Sequence, residues 1–322
     1  MEKNTIHHAD WMANDLPDRL VNLIIADPPY FEIKGDFDFV WNSFDEYLKD
    51  VEKWAIECKR LLADNGTLFW YGDDKRIAYT QIIFDKHFNL LNNLVWHKGE
   101  NFMGLNKSDG LRSFAPCTER LLLYSSKEQD PTGLETIKLD VDNFKTLRNH
   151  FKEMHEWVDV SKRELIQKVG QSVDHCFRYN STQWDLPTLE TFNELIQKFK
   201  INEWDSFREY EDLRREYEDL RRPFDNFLNI NEVMRFNNES AMNTQFKHPT
   251  RKPEKLTRAL LLTCSRPHDL VLVPFAGSGT ECAMAKKENR EFIGFEIDEK
   301  HHTVAMKRLN DQEEKSNQTT MF

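Results

Sequence analysis

Apolar and polar positions follow two different periods along the chain. Short continuous apolar runs, such as Val21–Ala26 and Thr67–Tyr71, predict strands that are buried on both faces of a sheet. Between them, apolar residues recur every three or four positions, as in Tyr47–Leu62, which predicts helices. This alternation continues to about residue 126 and predicts an α/β fold built on a doubly wound sheet.

The pattern changes in the middle of the chain. Residues 127–246 show little strand periodicity but much charge, several tryptophans and helical spacing. The α/β pattern returns over 247–311, and the polar tail 312–322 is predicted to be disordered. The sequence therefore predicts one α/β domain in two halves, 1–126 and 247–311, with a mainly helical insertion between them.

Two features of the insertion allow more than one interpretation. The segment Ser161–Ser172 outlines a capped helix, a glycine turn and the start of a second helix, which is typical of a helix-turn-helix but also of common helical hairpins. The segment Glu209–Arg222 contains the seven residues Glu-Tyr-Glu-Asp-Leu-Arg-Arg twice. Two heptads are fewer than a coiled coil needs, so we expect this helix to pack one stripe on its own domain, with dimerisation as the alternative.

Composition and charge narrow the class of protein. The 322 residues are 31% charged and contain no apolar run long enough for a membrane span, and the N-terminus lacks the apolar stretch of a secretory signal. The five cysteines are scattered without metal-ligand spacing, so we expect reduced thiols, a cytoplasmic location and no bound metal. A net charge of −11 argues against indiscriminate nucleic-acid binding, but a local basic cleft is compatible with it.

The first motif with chemical meaning is Asp27-Pro28-Pro29-Tyr30, directly after the apolar run Val21–Ala26. Two prolines end the strand and fix the backbone at its carboxyl end, where open α/β sheets bind their ligands. The Asp27 carboxylate and the Pro28 carbonyl can accept both hydrogens of a nucleobase amine, and Tyr30, with Phe31 beside it, can stack on a base. A simple strand followed by an Asp-Pro turn is the alternative interpretation.

The second motif is Phe275-Ala276-Gly277-Ser278-Gly279-Thr280, which lies between a predicted strand and a predicted helix. The next strand ends in Glu296, where a carboxylate can bind two ribose hydroxyls. Cys282 stands where the third glycine of a dinucleotide fingerprint would be, which favours a mononucleoside ligand over a nicotinamide dinucleotide. Near the N-terminus, Asp10 follows another strand end, where it can accept from a ligand amine or cap the next helix.

Together the two motifs resemble the S-adenosylmethionine-dependent DNA amino-methyltransferases, specifically their permuted beta class. The resemblance covers about residues 5–126 and 247–310, and Thr250, Lys252 and Pro253 resemble the family's lysine-proline element. It implies a circularly permuted, Rossmann-like fold with a mixed seven-stranded sheet, in which the strands ending at Asp27 and Val273 are neighbours. The halves 1–126 and 247–311 would be catalytic and cofactor-binding, and 127–246 would recognise the target.

The resemblance also implies a function and a set of site residues. The function is adenine-specific, site-specific DNA methylation, in which S-adenosylmethionine methylates N6 of a flipped adenine in double-stranded DNA. The implied catalytic residues are Asp27, Pro28, Pro29 and Tyr30. The implied cofactor-binding residues are Asp10, Asp27, Lys252, Phe275, Ala276, Gly277, Ser278, Gly279, Thr280, Glu296 and Ile297. The expected DNA-binding residues are Arg163, Lys168, Gln171, His175, Arg178, Tyr179 and Asn180.

Several alternatives stay open at this point. An aspartate opening the first motif favours adenine N6, but cytosine N4 is the same kind of amine. A catalytically silent DNA-binding or specificity subunit is a second alternative, and RNA or protein-glutamine methyltransferases and nicotinamide oxidoreductases are more distant ones. The resemblance further implies a prokaryotic or phage-encoded protein with two optional partners, a cognate restriction endonuclease and a second copy of the chain. Pro116-Cys117 superficially matches the nucleophile of cytosine-C5 enzymes, but amine methylation needs no thiol, so we assign it no role.

Overall fold

A computed structural model describes most of the chain, and the side chains of its C-terminal helix are described as far as residue 311. The polar segment 97–113, which the sequence predicts to be a loop, lies mostly outside the described residues, and Thr250 of the lysine-proline element lies outside them. The described residues are 1–33, 38, 40–99, 112, 114, 116–126, 144–181, 183–226, 228–238 and 251–319.

The chain divides into two compact units. One unit comprises Met1–Leu134 together with Pro223–Phe322, and the other is Glu135–Arg222. The helical unit is therefore shorter than the predicted insertion 127–246, because the segment after Arg222 returns to the α/β unit. The sequence does not predict this return, because the strand Val233–Arg235 is only three residues long and shows no strand periodicity.

The α/β unit is built on a mixed sheet of eight strands among the described residues, in the order β1-β8-β7-β2-β3-β5-β4-β6. Strand β5 runs antiparallel to both of its neighbours, and the other pairs are parallel. The predicted number of seven was wrong, because β6 adds a short edge strand beside β4. The strands are β1 (Thr5–His8), β2 (Val21–Ala26), β3 (Leu62–Gly72), β4 (Asn89–His97), β5 (Thr118–Ser125), β6 (Val233–Arg235), β7 (Leu270–Val273) and β8 (Glu291–Glu296).

Helices cover both faces of this sheet, and the alternation of strand side chains explains why. In β2, Ile24 belongs to one apolar cluster, whereas Leu23 and Ile25 belong to the other. The first cluster takes in α1 and α2, and the second takes in α7, α8 and α9. These helices are α1 (Phe44–Leu61), α2 (Ile77–Phe84), α7 (Glu254–Cys264), α8 (Thr280–Lys287) and α9 (Glu299–Thr319).

The two sequence motifs meet because β2 and β7 are parallel neighbours. Leu23 pairs with Val271 and Ile24 with Leu272, so both strands end at the same edge of the sheet. The first motif follows β2, and the glycine turn follows β7. The prediction that the strands ending at Asp27 and Val273 are adjacent is confirmed.

The sequence Ser43-Phe44-Asp45-Glu46 predicts a capping box at the start of helix α1. The Ser43 side chain accepts from the backbone N–H of Glu46 at 3.2 Å, as an N-cap does. The Glu46 carboxylate reaches the backbone N–H of Asn42 rather than that of Ser43, so the capping box is only half formed. Asn65-Gly66 is a typical helix-stop sequence and predicts that the helix ends there, but the helix ends at Leu61 and Asn65-Gly66 lies within β3.

The C-terminal helix is longer than the sequence suggested. The segment 312–319, which was predicted to be disordered, continues α9. It contains no glycine or proline, and its glutamates, glutamines and lysine are good helix formers. No helix in the part of the chain that the structure describes is both long and apolar enough to cross a lipid bilayer.

The helical unit encloses its own apolar core. Leu213 and Tyr217 of the heptad segment are buried in that core, which confirms that this helix packs a stripe on its own domain. After Gly170 (φ 113°) the chain forms a 3-10 helix, Gln171–Phe177, so the predicted second helix of a helix-turn-helix was wrong. In a 3-10 helix, positions three apart eclipse, and here that spacing buries Val173 and Cys176. The α-helices of this unit are α3 (Lys145–Val158), α4 (Lys162–Val169), α5 (Leu189–Phe199) and α6 (Tyr210–Leu220).

Candidate active site

A cavity of about 1180 Å³ opens in the α/β unit at the carboxyl ends of β2, β7 and β8. All four residues of the first motif line it, and so do the predicted cofactor-binding residues with the exception of Gly279. Residues from three distant parts of the sequence therefore meet in one place. The predicted residues at the cavity wall are Asp10, Asp27, Pro28, Pro29, Tyr30, Lys252, Phe275, Ala276, Gly277, Ser278, Thr280, Glu296 and Ile297.

The glycine turn needs its glycines for conformation and for space. Gly277 and Gly279 both have positive φ, 50° and 72°, which side chains disfavour. A Cβ on Gly279 would also lie 3.0 Å from the Cβ of Ala305 on α9. Gly279 thus lies on the side of the turn that packs against α9, while Gly277 and Ser278 line the cavity.

Glu296 lines the cavity beside the glycine turn, at the end of β8. Its two carboxylate oxygens accept from the backbone N–H of Gly277 at 2.7 Å and that of Asp298 at 2.8 Å. These bonds fix the carboxylate, and each oxygen keeps a further lone pair for a hydroxyl. The next residue, Ile297, is 70% exposed at the cavity wall, where an apolar ligand surface would cover it.

Asp10 caps the helix that follows it, which is one of the two roles that its position allowed. Its carboxylate accepts from the backbone N–H of Met12 at 2.9 Å and caps the 3-10 helix Trp11–Ala13. Because the same side chain lines the cavity, its predicted contact with the cofactor stays a prediction.

Aromatic rings that the sequence did not single out complete the wall. Trp11 and Trp54 meet the Phe275 ring edge-on, with centroids 5.8 and 5.2 Å away. Trp41 also lines the cavity. Phe31, in contrast, packs against Phe44 and Tyr47 in the core and does not line the cavity, so its expected stacking on a base was wrong. An aromatic residue at helical spacing predicts core and ligand contact equally well, which is why Trp54 was missed.

The Asp27 carboxylate lies in a buried network of charge. Its Oδ1 accepts from the Lys252 ammonium at 2.8 Å and from the Tyr30 hydroxyl at 2.9 Å. The Lys252 side chain is 3% exposed and also contacts Glu119 Oε2 at 3.1 Å. Lys98 in turn contacts Glu119 Oε1 at 2.6 Å. The sequence assigned no role to Glu119, and its only signal was a charge at the start of an apolar strand.

The network determines the charge of each member. Burial raises the pKa of the Asp27 carboxyl, although Lys252 opposes that rise. Burial alone would also raise the pKa of Glu119, but Lys252 and Lys98 hold that pKa below its usual range. Burial would lower the pKa of Lys252, yet Asp27 and Glu119 raise it above its ordinary value, so the ammonium stays charged. Lys252 therefore lines the cavity and also stabilises the charged form of Asp27.

The expected DNA-binding residues lie in the helical unit, and several have partners there. Arg178 donates through Nε to Asp174 at 2.8 Å, the Tyr179 hydroxyl bonds the His155 ring at 2.5 Å, and Lys168 contacts Glu164 at 2.8 Å. His175 bonds the backbone carbonyl of Gln183. The remaining members of the set are exposed, namely Arg163, Gln171 and Asn180.

A family model described as DNA methylase, N6_N4_Mtase, matches residues 21–307 of this sequence. The chain belongs to the DNA methylase family. This membership confirms the resemblance that the two motifs indicated, and with it the S-adenosylmethionine-dependent type of enzyme.

Two curated members of the family match nearly the whole chain. Type II methyltransferase M.HinfI of Haemophilus influenzae is 27% identical over 96% of this chain and 68% of its own length. DNA adenine methyltransferase YhdJ of Escherichia coli K12 is 26% identical over 96% of this chain and 83% of its own length.

Solved structures of DNA methyltransferases share the fold at lower identity. The cytosine-N4-specific PvuII DNA methyltransferase superposes with a TM-score of 0.54 at 13% identity, covering 96% of this chain and 86% of that one. The M1.HpyAVI–SAM complex gives 0.51 at 19%, covering 95% and 98%. These likenesses confirm the Rossmann-like methyltransferase fold.

Changing Glu296 to Gln is expected to weaken S-adenosylmethionine binding by about ten- to a hundredfold. An amide keeps only one oxygen acceptor, so a backbone N–H or a ligand hydroxyl loses a charge-assisted bond of about 1.5–3 kcal/mol. Calorimetric titration with the cofactor measures the change. Glu291→Gln, at the other end of the same strand, is the matched control, and wild-type affinity in Glu296→Gln would contradict the assignment.

Proposed function

We propose that this methyltransferase is adenine-specific and site-specific, and that it methylates N6 of an adenine flipped out of double-stranded DNA. The single observation behind this proposal is that the Asp27–Tyr30 segment, the glycine turn and Glu296 line one cavity. The Asp27–Tyr30 segment can bind the amine of a base, and the glycine turn with Glu296 can bind a nucleoside cofactor.

The residues of the cofactor half fit S-adenosylmethionine. Glu296 offers two fixed acceptor oxygens, the glycine turn lets the backbone come close, and Phe275, Trp11 and Ile297 offer apolar surface. When bound, S-adenosylmethionine supplies a methyl cation equivalent, because the C–S electron pair stays on sulfur while nitrogen forms the new C–N bond and loses one proton. The protein then has to orient the amine, since it forms no covalent bond to either substrate.

Asp27 and Pro28 carry out that orientation. An adenine amine is a weak nucleophile, because its lone pair is delocalised into the ring. Two acceptors, the Asp27 carboxylate and the Pro28 carbonyl, would hold both N–H bonds and leave the lone pair facing the methyl group. The departing proton would leave along the bond to Asp27, whose pKa is already raised by burial.

Tyr30 and the size of the cavity suit a flipped base. Enzymes that act on a base in a duplex extrude it into a pocket and stack it on aromatic side chains. A volume of about 1180 Å³ exceeds the roughly 300–1,000 Å³ of a usual single-ligand pocket, so two ligands can share it. The Tyr30 hydroxyl bond to Asp27 would orient the ring beside the acceptor.

The choice of adenine rests on two observations. Asp27 opens the first motif, which in this family favours adenine N6, and the relative YhdJ is named a DNA adenine methyltransferase.

The relatives also support a biological context. The relative M.HinfI is named a type II methyltransferase, which supports a restriction-modification context with a cognate endonuclease. Both relatives are bacterial proteins, which supports a cytoplasmic location in a prokaryotic cell, and a homodimer is the remaining proposal for the partners.

The helical unit would recognise the DNA sequence. Of the expected residues, Arg163 is an exposed cation for which the described part of the chain shows no ion pair, whereas Arg178 is held by Asp174. Arg163 is therefore the better candidate for a phosphate or base contact, and Arg178 would support the fold of its own loop.

Replacing Arg163 with Ala should weaken DNA binding about uniformly and lower the salt slope by about one, as expected for one lost phosphate contact. Cofactor affinity and the free energy of unfolding should not change. Lys152→Ala removes an exposed cation from α3 of the same unit and is the matched control. Binding titrations at several salt concentrations decide the matter, and equal slopes for both variants would rule out Arg163 as a contact.

The function itself is tested by incubating the protein with labelled S-adenosylmethionine and unmethylated genomic DNA, followed by nucleoside analysis. The proposal predicts label in N6-methyladenine. Label in N4-methylcytosine would overturn the base assignment but keep the site. Cofactor binding without any transfer to DNA would overturn the proposal.

A further inference from the structure

Glu281 is a buried carboxyl at the wall of the active-site cavity. It lies in the first turn of α8, directly after the glycine turn, and is only 5% exposed. Neither the sequence motifs nor the mechanism above gives it a role. A carboxyl in such a place is costly to ionise unless a cation accompanies it.

The surroundings of Glu281 supply no such cation at close range. Within the described residues, no salt bridge of up to 4.0 Å reaches Glu281; its carboxyl accepts a long hydrogen bond of 3.4 Å from the Thr257 hydroxyl and another from its own backbone N–H. The charged and titratable groups that act on it are Asp27 after β2, Tyr71 of β3, Lys252 before α7, Cys282 of α8 and Arg308 of α9.

The two cations of that set have nearer partners. Lys252 contacts Asp27 and Glu119, as described above. Arg308 contacts Glu254 at 2.6 Å and donates to the Thr280 hydroxyl at 2.6 Å. The Asp27 carboxylate, in contrast, repels a charge on Glu281. Of the carboxyls of Asp27 and Glu281 at the cavity wall, the first is therefore paired with a cation, whereas no described salt bridge reaches the second, which is open to a cationic ligand.

We propose that Glu281 selects the charge of the cofactor: it loses its proton when S-adenosylmethionine binds, and its carboxylate favours the sulfonium over the neutral sulfur of S-adenosylhomocysteine. This inference rests on the proposed function, because it assumes that S-adenosylmethionine occupies this cavity. It adds a proton-linked step to cofactor binding and a means of releasing the spent product.

The position of Asp27 supports this assignment. The methyl group passes from sulfur to an amine that Asp27 holds, so the sulfonium must come close to Asp27. The charge of Asp27 raises the pKa of Glu281, and both side chains line the same cavity, which puts the Glu281 carboxyl near the same cation. Once the methyl group has left, sulfur is neutral, and the free energy of its attraction to Glu281 disappears.

The direction of the pH dependence follows from the charge. Burial, with Asp27 adding to it, raises the pKa of Glu281 to about 7. Below that pH the carboxyl of the free protein is protonated and neutral, so it must release its proton to attract a cation. Affinity for S-adenosylmethionine should therefore fall as the pH drops below about 7, and it should level off above that pH.

Calorimetric titration in buffers of different ionisation enthalpy counts the protons released. If S-adenosylmethionine lowers the pKa of Glu281 by about one unit, we expect Glu281 to release about four-tenths of a proton both at pH 7 and at pH 6. S-adenosylhomocysteine carries the same amino and carboxyl groups without the sulfonium, so it should release clearly fewer protons. Equal proton release by the two ligands would overturn the proposal.

The Glu281→Gln variant provides a second, independent test. It keeps the shape and the neutral state of the protonated side chain, and it should abolish the extra proton release. It should also reduce the preference for S-adenosylmethionine over S-adenosylhomocysteine by about tenfold, which equals one unit of pKa change in the complex. Glu153→Gln, an exposed change in the helical unit, is the control. An unchanged preference in Glu281→Gln would contradict the proposal.

The results also separate this inference from the proposed function. If the protein does not bind S-adenosylmethionine at all, both are wrong. Tight binding without linked protons overturns only the role of Glu281. Linked protons that vanish in Glu281→Gln support that role even when DNA receives no methyl group, and that last result would count against the proposed function alone.

Discussion

Asp27→Ala is expected to reduce methyl transfer by about 10²- to 10⁴-fold at saturating cofactor, the range of a lost catalytic group. The change removes the acceptor that would hold the target amine, while Glu119 still accompanies the Lys252 ammonium. The loss should therefore appear in kcat more than in the affinity for DNA. Single-turnover transfer of labelled methyl groups measures it directly.

Asp27→Asn makes this prediction sharper. The amide keeps one oxygen acceptor but no charge, so its rate should lie between those of the wild type and Asp27→Ala. Asp64→Ala, at an exposed ion pair with Arg19, controls for the loss of an aspartate elsewhere. Near-normal transfer by Asp27→Ala would contradict the mechanism.

Lys252→Met is expected to have the second large effect, and it should act on both stability and rate. It leaves the buried carboxylates of Asp27 and Glu119 without the cation between them. Removing one partner of a buried ion pair costs about 3–5 kcal/mol. The exposed pair Lys86–Glu52 is the contrast, because Lys86→Met should cost no more than about 1 kcal/mol.

The pH dependence distinguishes loss of charge from loss of packing. Without Lys252, the pKa of Asp27 in the folded protein rises further above that of the unfolded chain, and the pKa of Glu119 rises because it loses one of the two cations that lower it. Their protonated forms are then favoured, so the variant should be closest to wild type below about pH 4 and lose stability as the pH rises. Urea unfolding at several pH values tests this sign, and a pH-independent difference would contradict it.

A double-mutant cycle measures the energetic coupling between Glu119 and Lys252. Glu119→Gln in the Lys252→Met background removes one of the two carboxylates that Lys252 contacts, leaves Lys98 without its partner there, and should restore only part of the stability. Additive effects of the two changes would show that Glu119 and Lys252 do not act as a unit.

The fold could be predicted because its signals are local. The continuous apolar run Val21–Ala26 predicts a buried strand without reference to the rest of the chain, and the glycines of the glycine turn predict its positive φ angles. The same is true of the stripe Leu213/Tyr217, whose spacing already indicated a packed helix face. Local pattern also explains why the two motifs converge, since both follow parallel strands that end at one edge.

The parts that could not be predicted depend on contacts between distant residues. Nothing near Glu119 indicates that Lys252 will lie 3.1 Å away, and nothing near Glu281 indicates the charge of Asp27. Strand β6 is too short to show a hydrophobic periodicity of its own, and it forms by pairing with β4 at the edge of the sheet. The 3-10 helix after Gly170 reflects how its side chains pack, which spacing alone did not distinguish from an α-helix.

The most direct test of the central claim is to map methylated bases in the DNA of a methylation-free host that expresses the wild-type protein or Asp27→Ala. We predict N6-methyladenine at one recurring sequence with the wild type, and none with an Asp27→Ala protein that still binds S-adenosylmethionine. Methylated adenines at the same sites with Asp27→Ala, or modified cytosines in place of adenines with the wild type, would contradict it.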